Sequence, residues 1–289
     1  MKIRYLWRNP TTYPSLRLRV LTPGKYLGES GLGHDLDIVE EPEECDVLVL
    51  FKHHPDNVRI AEQWRDRAAV LFDICDDHFD NQHGATYRGT IKYATHVTCT
   101  TRRLADRIWQ QQNVRATLIT DPYEWGEEPP KKPTKRLLWH GTGGNLKPLL
   151  EVLPSLHGYD VLALCNDTSH PIVTEWSHEN LAEGFKEAGI CIIPTKQDNH
   201  GQAKGPNRMV DAIRQGLYCV AGPLKAYEPY GMWQGDIADG VRWALENPRL
   251  AVRAVKKAQK LIREMHDPEK IARQWEAVFE RTATKQAVG

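Results

Sequence analysis

This sequence predicts an α/β protein made of two doubly wound halves, each built on a parallel sheet. Three observations carry that prediction. Apolar strand-like runs alternate with amphipathic helical stretches, the pattern of a parallel sheet covered on both faces. A proline- and charge-rich stretch, Glu124 to Lys135, interrupts the alternation, which then restarts behind it. At 289 residues, the chain is also about twice the usual domain size.

In the first half, Ile3–Trp7 reads as a strand, Asp46–Phe51 (DVLVLF) as a buried one, and Val70–Ile74 and His96–Thr100 as two more. Ala116–Thr120 is a weaker candidate. Helical patterns fall at Ser15–Ser30, Pro55–Arg67, Tyr87–Tyr93 and Thr101–Gln112. The stretch Glu124–Lys135 holds three prolines and six charges, so it cannot form a core element and reads as a linker.

Behind it, Arg136–His140 is a strand, Gly143–Leu156 a loop and helix, and Asp160–Cys165 a buried strand. Leu181–Ala188 is helical and Ile190–Pro194 is a strand. Lys204–Gly222 (KGPNRMVDAIRQGLYCVAG) then compresses a loop, a helix and a strand into one segment. Pro206 presets the helix start, Met209, Ile213 and Leu217 recur at helical spacing, and Gly216 closes the helix as a left-handed cap. From Ile237 to about Arg281 the pattern is helical, broken by Pro248 and Pro268. The expected division is residues 1–125, a linker at 126–135, a second domain at 136–265 and a final helix at 266–289. A ligand cleft is expected at the carboxyl ends of the strands.

The start of the 207–216 helix is where an anion would bind. Unpaired N–H groups carry partial positive charge there, Arg208 adds a full one, and Asp211 follows one turn on. The segment G-P-N-R-M-V-D-A-I-R-Q-G resembles the S-P-N-K-x-x-E-A-x-x-x-G donor element of family 4 glycosyltransferases. Those enzymes have two Rossmann-like domains in the GT-B arrangement, with parallel sheets facing a central cleft. The resemblance extends to the H-G-T-G-G turn after Arg136–His140 and to Ile172–Pro194. It implies a nucleoside-diphosphate sugar as substrate, no cofactor, no bound metal, retention at the anomeric carbon, and a last helix that crosses back onto the first domain.

On that resemblance the donor-binding residues are Gly141, Thr142, Gly143, Lys147, Trp176, His200, Lys204, Asn207, Arg208 and Asp211. Lys147 and Arg208 would hold the diphosphate and Asp211 the ribose. Trp176 is a wall for the base or a core tryptophan. Two positions depart from the pattern: Thr142 stands where an Arg is expected, and Ala203 where a sugar-contacting Glu is expected. The polar loop Lys196–Gly205 offers Asp198, Asn199, His200 and Lys204 instead, or is simply a mobile loop.

In the first half, FDICDDHFD (Phe72–Asp80) crowds Asp76, Asp77 and Asp80 behind a strand, with His78 and His83 nearby. Three readings stand: a metal site with oxygen ligands, a catalytic role for Asp76 and Asp77, or an Asp-rich helix cap. The resemblance favours a sugar- or acceptor-side role. His53 and His54 follow the DVLVLF strand at its carboxyl end, His53 as a catalytic candidate and His54 on the acceptor side. Arg17 and Arg19, in PSLRLRV, are candidate acceptor contacts, although residues two apart do not share a helical face, so one at most points inward.

Composition narrows the partners. The chain carries 38 basic and 38 acidic residues, which gives no support for a protein that coats nucleic acid or anionic membrane. Residues 1–130 hold 16 basic against 20 acidic residues, and residues 131–289 hold 22 against 18. The six cysteines show no C-x-x-C pair and read as buried apolar residues of a reducing compartment. With no signal peptide and no apolar run of about 20 residues, a cytoplasmic protein is expected. The acceptor is left open among saccharide, glycolipid, protein and modified DNA. Glycosylation of a hydroxymethylated DNA base would draw phosphate contacts from Arg4, Arg8, Arg17, Arg19, Lys52, Arg102 and Arg103. A nucleotide-sugar 2-epimerase and a non-catalytic nucleotide-sugar-binding protein are the remaining alternatives.

Overall fold

The computed structural model describes residues 1–8, 14–29 and 34–288. Ser30, the expected end of the first helical span, lies outside the described residues. The chain divides into two compact units, each with its own sheet and core. Unit 1 comprises Met1–Pro122, Ala203–Gly205 and His266–Gly289, and unit 2 comprises Tyr123–Gln202 and Pro206–Met265.

Unit 1 contains β1 (Lys2–Leu6), β2 (Asp35–Val39), β3 (Val47–Phe51), β4 (Ala69–Ile74), β5 (His96–Cys99) and β6 (Thr117–Leu118). They pair in parallel throughout, in the order β2-β1-β3-β4-β5-β6. The order reverses between β1 and β3, which creates a topological switch point, and the carboxyl ends beside it hold Trp7, Lys52 and His53. β3 and β4 are buried at every residue, as interior strands of a sheet covered on both faces are, with Asp73 the one charged side chain among them. The strand β2, which apolar patterning did not reveal, is an edge strand that exposes Asp35 and Asp37.

Unit 1 continues with α1 (Pro14–Leu16), a π-helical turn at Arg17–Leu21, α2 (Thr22–Glu29), α3 (Asn57–Trp64), α4 (Gly84–Tyr93) and α5 (Arg102–Gln112). Thr101 caps α5 by accepting a hydrogen bond from the Leu104 amide.

Unit 2 contains β7 (Arg136–Gly141), β8 (Asp160–Cys165), β9 (Val173–Glu175), β10 (Ile190–Ile193), β11 (Tyr218–Ala221) and β12 (Trp233–Gln234). This sheet is also wholly parallel, in the order β12-β11-β10-β7-β8-β9, and its switch point lies between β7 and β10. Its helices are α6 (Leu146–Val152), α7 (His178–Glu187), α8 (Asn199–Gln202), α9 (Asn207–Arg214), α10 (Ile237–Glu246) and α11 (Pro248–Met265). Two demands fix the turn after α9, one on the backbone dihedral and one on space. Gly216 sits at φ +82°, and a Cβ there would stand 2.3 Å from the Pro129 carbonyl oxygen. Only glycine meets both demands.

The proline-rich segment has no regular secondary structure and is hydrogen-bonded along unit 2. Glu128 N donates to Arg214 O, Lys131 N to Gly216 O, and Gln259 Nε2 to Glu128 O. Arg214 is buried and binds Glu127 and the Trp125 carbonyl while its guanidinium lies 3.8 Å from the Tyr123 ring centroid.

The last helix, α12 (Pro268–Val288), belongs to unit 1. Its Ile271, Ala272, Trp275, Val278 and Phe279 share a core with Ile3, Tyr5, Val20 and Leu27. Five of the six cysteines are buried, Cys75 is partly exposed, and none is in a disulfide. No described helix is long and apolar enough to cross a membrane.

Candidate functional site

In unit 2, β7 ends at Gly141 beside the switch point and runs into the turn Thr142–Asn145. The Gly143 amide donates to Asn166 Oδ1 at 2.9 Å, and Asn145 Nδ2 donates to Thr142 Oγ1 at 3.0 Å. Gly144 has open space where a Cβ would stand. Arg208, in the first turn of α9, reaches this turn. Its Nη1 donates to His140 O at 3.4 Å and lies 3.5 Å from the position of a Cβ on Gly141. The Arg208 charge also acts on the buried Tyr227 hydroxyl. A guanidinium, a glycine turn and a helix start therefore converge at the carboxyl ends of a doubly wound sheet, the place where such sheets bind phosphate-bearing ligands.

The other predicted donor residues are distributed as follows. Asn207 opens α9, and Asp211 lies one turn along it, half-buried. His200 is half-buried in α8, whose amide at Gly201 is capped by Asp198 Oδ1. Trp176 follows β9, donates its backbone N–H to Cys165 O, and packs edge-to-face on His178 at 5.1 Å between centroids. His178 in turn approaches Trp125, giving a half-exposed aromatic row. Lys147 points away: its side chain is 82% exposed and lies 3.9 Å from Glu151, one turn on in α6. Lys204 belongs to unit 1, where it forms an ion pair with Asp76. Ala203 beside it is fully buried, its carbonyl accepting from Thr101 Oγ1. A Glu at that position would put a carboxylate in an apolar core.

In unit 1, His53 and Asp76 lie at the carboxyl ends of β3 and β4. Asp76 is held by Lys204 and by Lys52 Nζ at 3.3 Å. Asp77 is elsewhere. It is buried, accepts from Arg107 Nε at 2.8 Å, and caps the Phe79 amide at 3.1 Å. Arg107 also binds Asp80. Of the three readings of this loop, the contacts of Asp77 match the cap-like structural one. Among the described residues, no group of three or more His, Cys, Asp or Glu is arranged to hold a metal ion.

The assignment of Arg19 to acceptor contact is corrected. Arg19 is 1% exposed, binds Asp73 through Nε at 3.0 Å and Nη2 at 2.7 Å, and donates to Ile119 O and Asp121. Trp275 lies beneath it at 4.7 Å. A cation so fully paired inside a core is not free to contact an acceptor, and stranding its partners is costly. Arg17 is the half-exposed member of the pair. His54 turns toward its own loop, where its Nδ1 accepts from the Asp56 amide at 3.3 Å. Sequence reasoning missed Asn166 and the Trp125–His178 contact. A polar residue directly after the β8 strand was the available signal for Asn166.

No protein-family model matches the chain, and no curated protein matches it. Solved structures do. HepE from Anabaena, in complex with UDP, aligns with 97% of this chain and 100% of its own at TM-score 0.70 and 10% identity. TarM aligns with 81% of this chain at TM-score 0.63 and 15% identity. This chain spans about half of the length of TarM, 54%. The O-GlcNAc transferase of Thermobaculum terrenum aligns with 100% of this chain and 69% of its own at TM-score 0.58 and 10% identity. The chain has the fold of the GT-B glycosyltransferases, two Rossmann-like domains each with a parallel sheet.

Proposed function

We propose that the chain is a glycosyltransferase that moves a sugar from a nucleoside diphosphate to an acceptor hydroxyl, with retention at the anomeric carbon and without a catalytic metal. One observation carries the reading: Arg208, the start of α9 and the Gly141–Asn145 turn meet at the switch point of unit 2. Unit 2 is the donor half. Arg208 and the backbone amides of the turn take the charge that develops on the diphosphate as the bond to the anomeric carbon breaks. Asp211 holds the ribose hydroxyls, and Trp176 in its aromatic row stacks the base. His53 and Asp76 of unit 1 serve the reacting sugar and the acceptor, whose hydroxyl loses its proton as the new glycosidic bond forms. HepE was solved with UDP and with UDP-glucose, which makes a uridine diphosphate sugar the first donor to try.

The side chain of Lys147 is exposed in the described structure, so Arg208 is the cation on which the grip depends. Calorimetric titration with UDP, GDP, ADP, CDP and dTDP tests this. One of them binds the wild type, and Arg208→Ala weakens it about tenfold or more, the cost of one charge-assisted hydrogen-bonded contact. Asp211→Ala weakens the nucleotide through its ribose. Failure of every nucleotide to bind sinks the proposal. Slow hydrolysis of the matching nucleotide sugar without acceptor separates an enzyme from a nucleotide-sugar-binding protein.

A further inference from the structure

Three histidine rings that are separated in sequence come together at the switch point of unit 1. His53 leaves the end of β3, His78 lies in the loop after β4, and His83 is the residue before α4. The His53 and His83 rings are nearly stacked, with centroids 3.6 Å apart and planes at 33°. His78 meets both edge-on, 5.5 Å from His53 and 5.4 Å from His83, and rests its other side on the buried Tyr87 ring at 5.7 Å. The backbone that delivers His53 is unusual. Lys52 has φ +55°, a left-handed conformation uncommon for a non-glycine residue, and such positions cluster where structure is set up for function. The turn is pinned at both ends: Lys52 N donates to Asp73 O at 3.1 Å, and Asn57 Nδ2 donates to Lys52 O at 3.0 Å.

We infer that His83 and His78 are positioning residues for His53, forming with the left-handed turn at Lys52 a packed imidazole cluster that fixes the His53 ring at the carboxyl end of β3. A lone histidine on a loop end samples several rotamers, but one with a second ring 3.6 Å over its face does not. The groups around His53 are Lys52 and His54 on its own strand end, Asp76 and His78 from the loop after β4, and His83 at the head of α4. Burial, followed by the nearby His83, Lys52 and His54, pushes the His53 imidazole below its ordinary value, and only Asp76 opposes them. His53 therefore stays neutral at pH 7, able to accept a proton or to hydrogen-bond a substrate hydroxyl. The consequence for turnover rests on the proposed role of His53 in glycosyl transfer, but the geometry does not.

Histidine-selective NMR titration of the full chain tests the cluster without reference to activity. In the wild type, His53 titrates below the unperturbed value of about 6.5. His83→Ala opens the face of His53 to water and raises its midpoint by about half a pH unit or more. His83→Phe keeps a ring on that face and leaves His53 closer to wild type than His83→Ala does. Circular dichroism confirms that each variant is folded. A His53 midpoint at the ordinary value in wild type, or one unmoved by His83→Ala, overturns the inference. The acid limb of nucleotide-sugar turnover should shift upward in His83→Ala in step with the NMR midpoint. A shifted midpoint with no turnover of any nucleotide sugar supports the cluster and defeats the glycosyltransferase reading, so the two failures are distinct.

Discussion

Charge is the feature of single residues that the sequence exposes least. Arg17 and Arg19 look equivalent on paper, two cations in an apolar frame. In the structure Arg19 is enclosed by Asp73, Asp121, the Ile119 carbonyl and the Trp275 face, while Arg17 stays half-exposed. A carboxylate 54 residues away decides the matter, and no local pattern announces it. Arg4, Arg8 and Lys52 follow the same logic, each paired with acidic side chains, so these cations have little left to offer a nucleic-acid backbone. The energetic consequence is specific. Arg19→Met leaves the Asp73 carboxylate buried with only Thr98 Oγ1 at 2.6 Å and its remaining neighbours to solvate it. The expected loss is about 3–5 kcal/mol of stability, the cost of stranding one partner of a buried pair. Asp73→Asn is expected to cost less, because Arg19 keeps Asp121 and the Ile119 carbonyl as partners. The double variant Arg19→Met/Asp73→Asn should lose clearly less than the sum of the two singles in urea unfolding. Additive losses would show that the pair does not act as a unit.

At the scale of elements, legibility followed chemical uniqueness. Gly216 was readable as a left-handed cap because a single residue type satisfies φ +82° beside the Pro129 carbonyl. The buried runs of β3, β4, β8 and β10 were readable because interior parallel strands need apolar residues on both faces. The edge strands β2 and β12 were not, since an edge tolerates charge and shortness, and β12 has only two residues. In the candidate site, Arg208 was visible from its place at a helix start. The left-handed Lys52, by contrast, is held by bonds to Asp73 and Asn57 rather than by its own preference. His96, the first residue of β5, gives an element-level test. Burial, reinforced by Lys285 and Arg281 of α12, pushes its imidazole down to about 4, and its Nε2 lies 2.9 Å from Thr117 Oγ1 on β6. The unfolded chain takes up this proton near pH 6.5 and the folded chain only near about 4. Between those values the unfolded state binds more protons, so stability falls as pH drops through the window and levels off below it. The contribution is on the order of 2 kcal/mol after allowance for solvent near the site. Urea midpoints at pH 7 and pH 4.5 measure it, and His96→Gln, which keeps a partner for Thr117, should remove that part of the pH dependence.

For the whole molecule, the two units make separable predictions, because each closes its own sheet and core and only one is assigned the donor. A ligand that binds the native state alone stabilises it by about 2.7 kcal/mol at a hundredfold excess over its dissociation constant. That gain must appear where the ligand's contacts are. Hydrogen exchange with saturating nucleotide should therefore slow the amides of Thr142–Asn145 and the first turn of α9, where the proposed diphosphate contact lies. The interior strands β3 and β4 of unit 1 are already buried at every residue, so nucleotide alone should leave their exchange unchanged. Arg208→Ala should require about tenfold more nucleotide, or more, to reach the same protection in unit 2. Protection confined to unit 1 would reverse the assignment of the halves. Equal protection of both units would show that the stabilisation is not confined to unit 2, and the assignment of the donor to that half alone would fall.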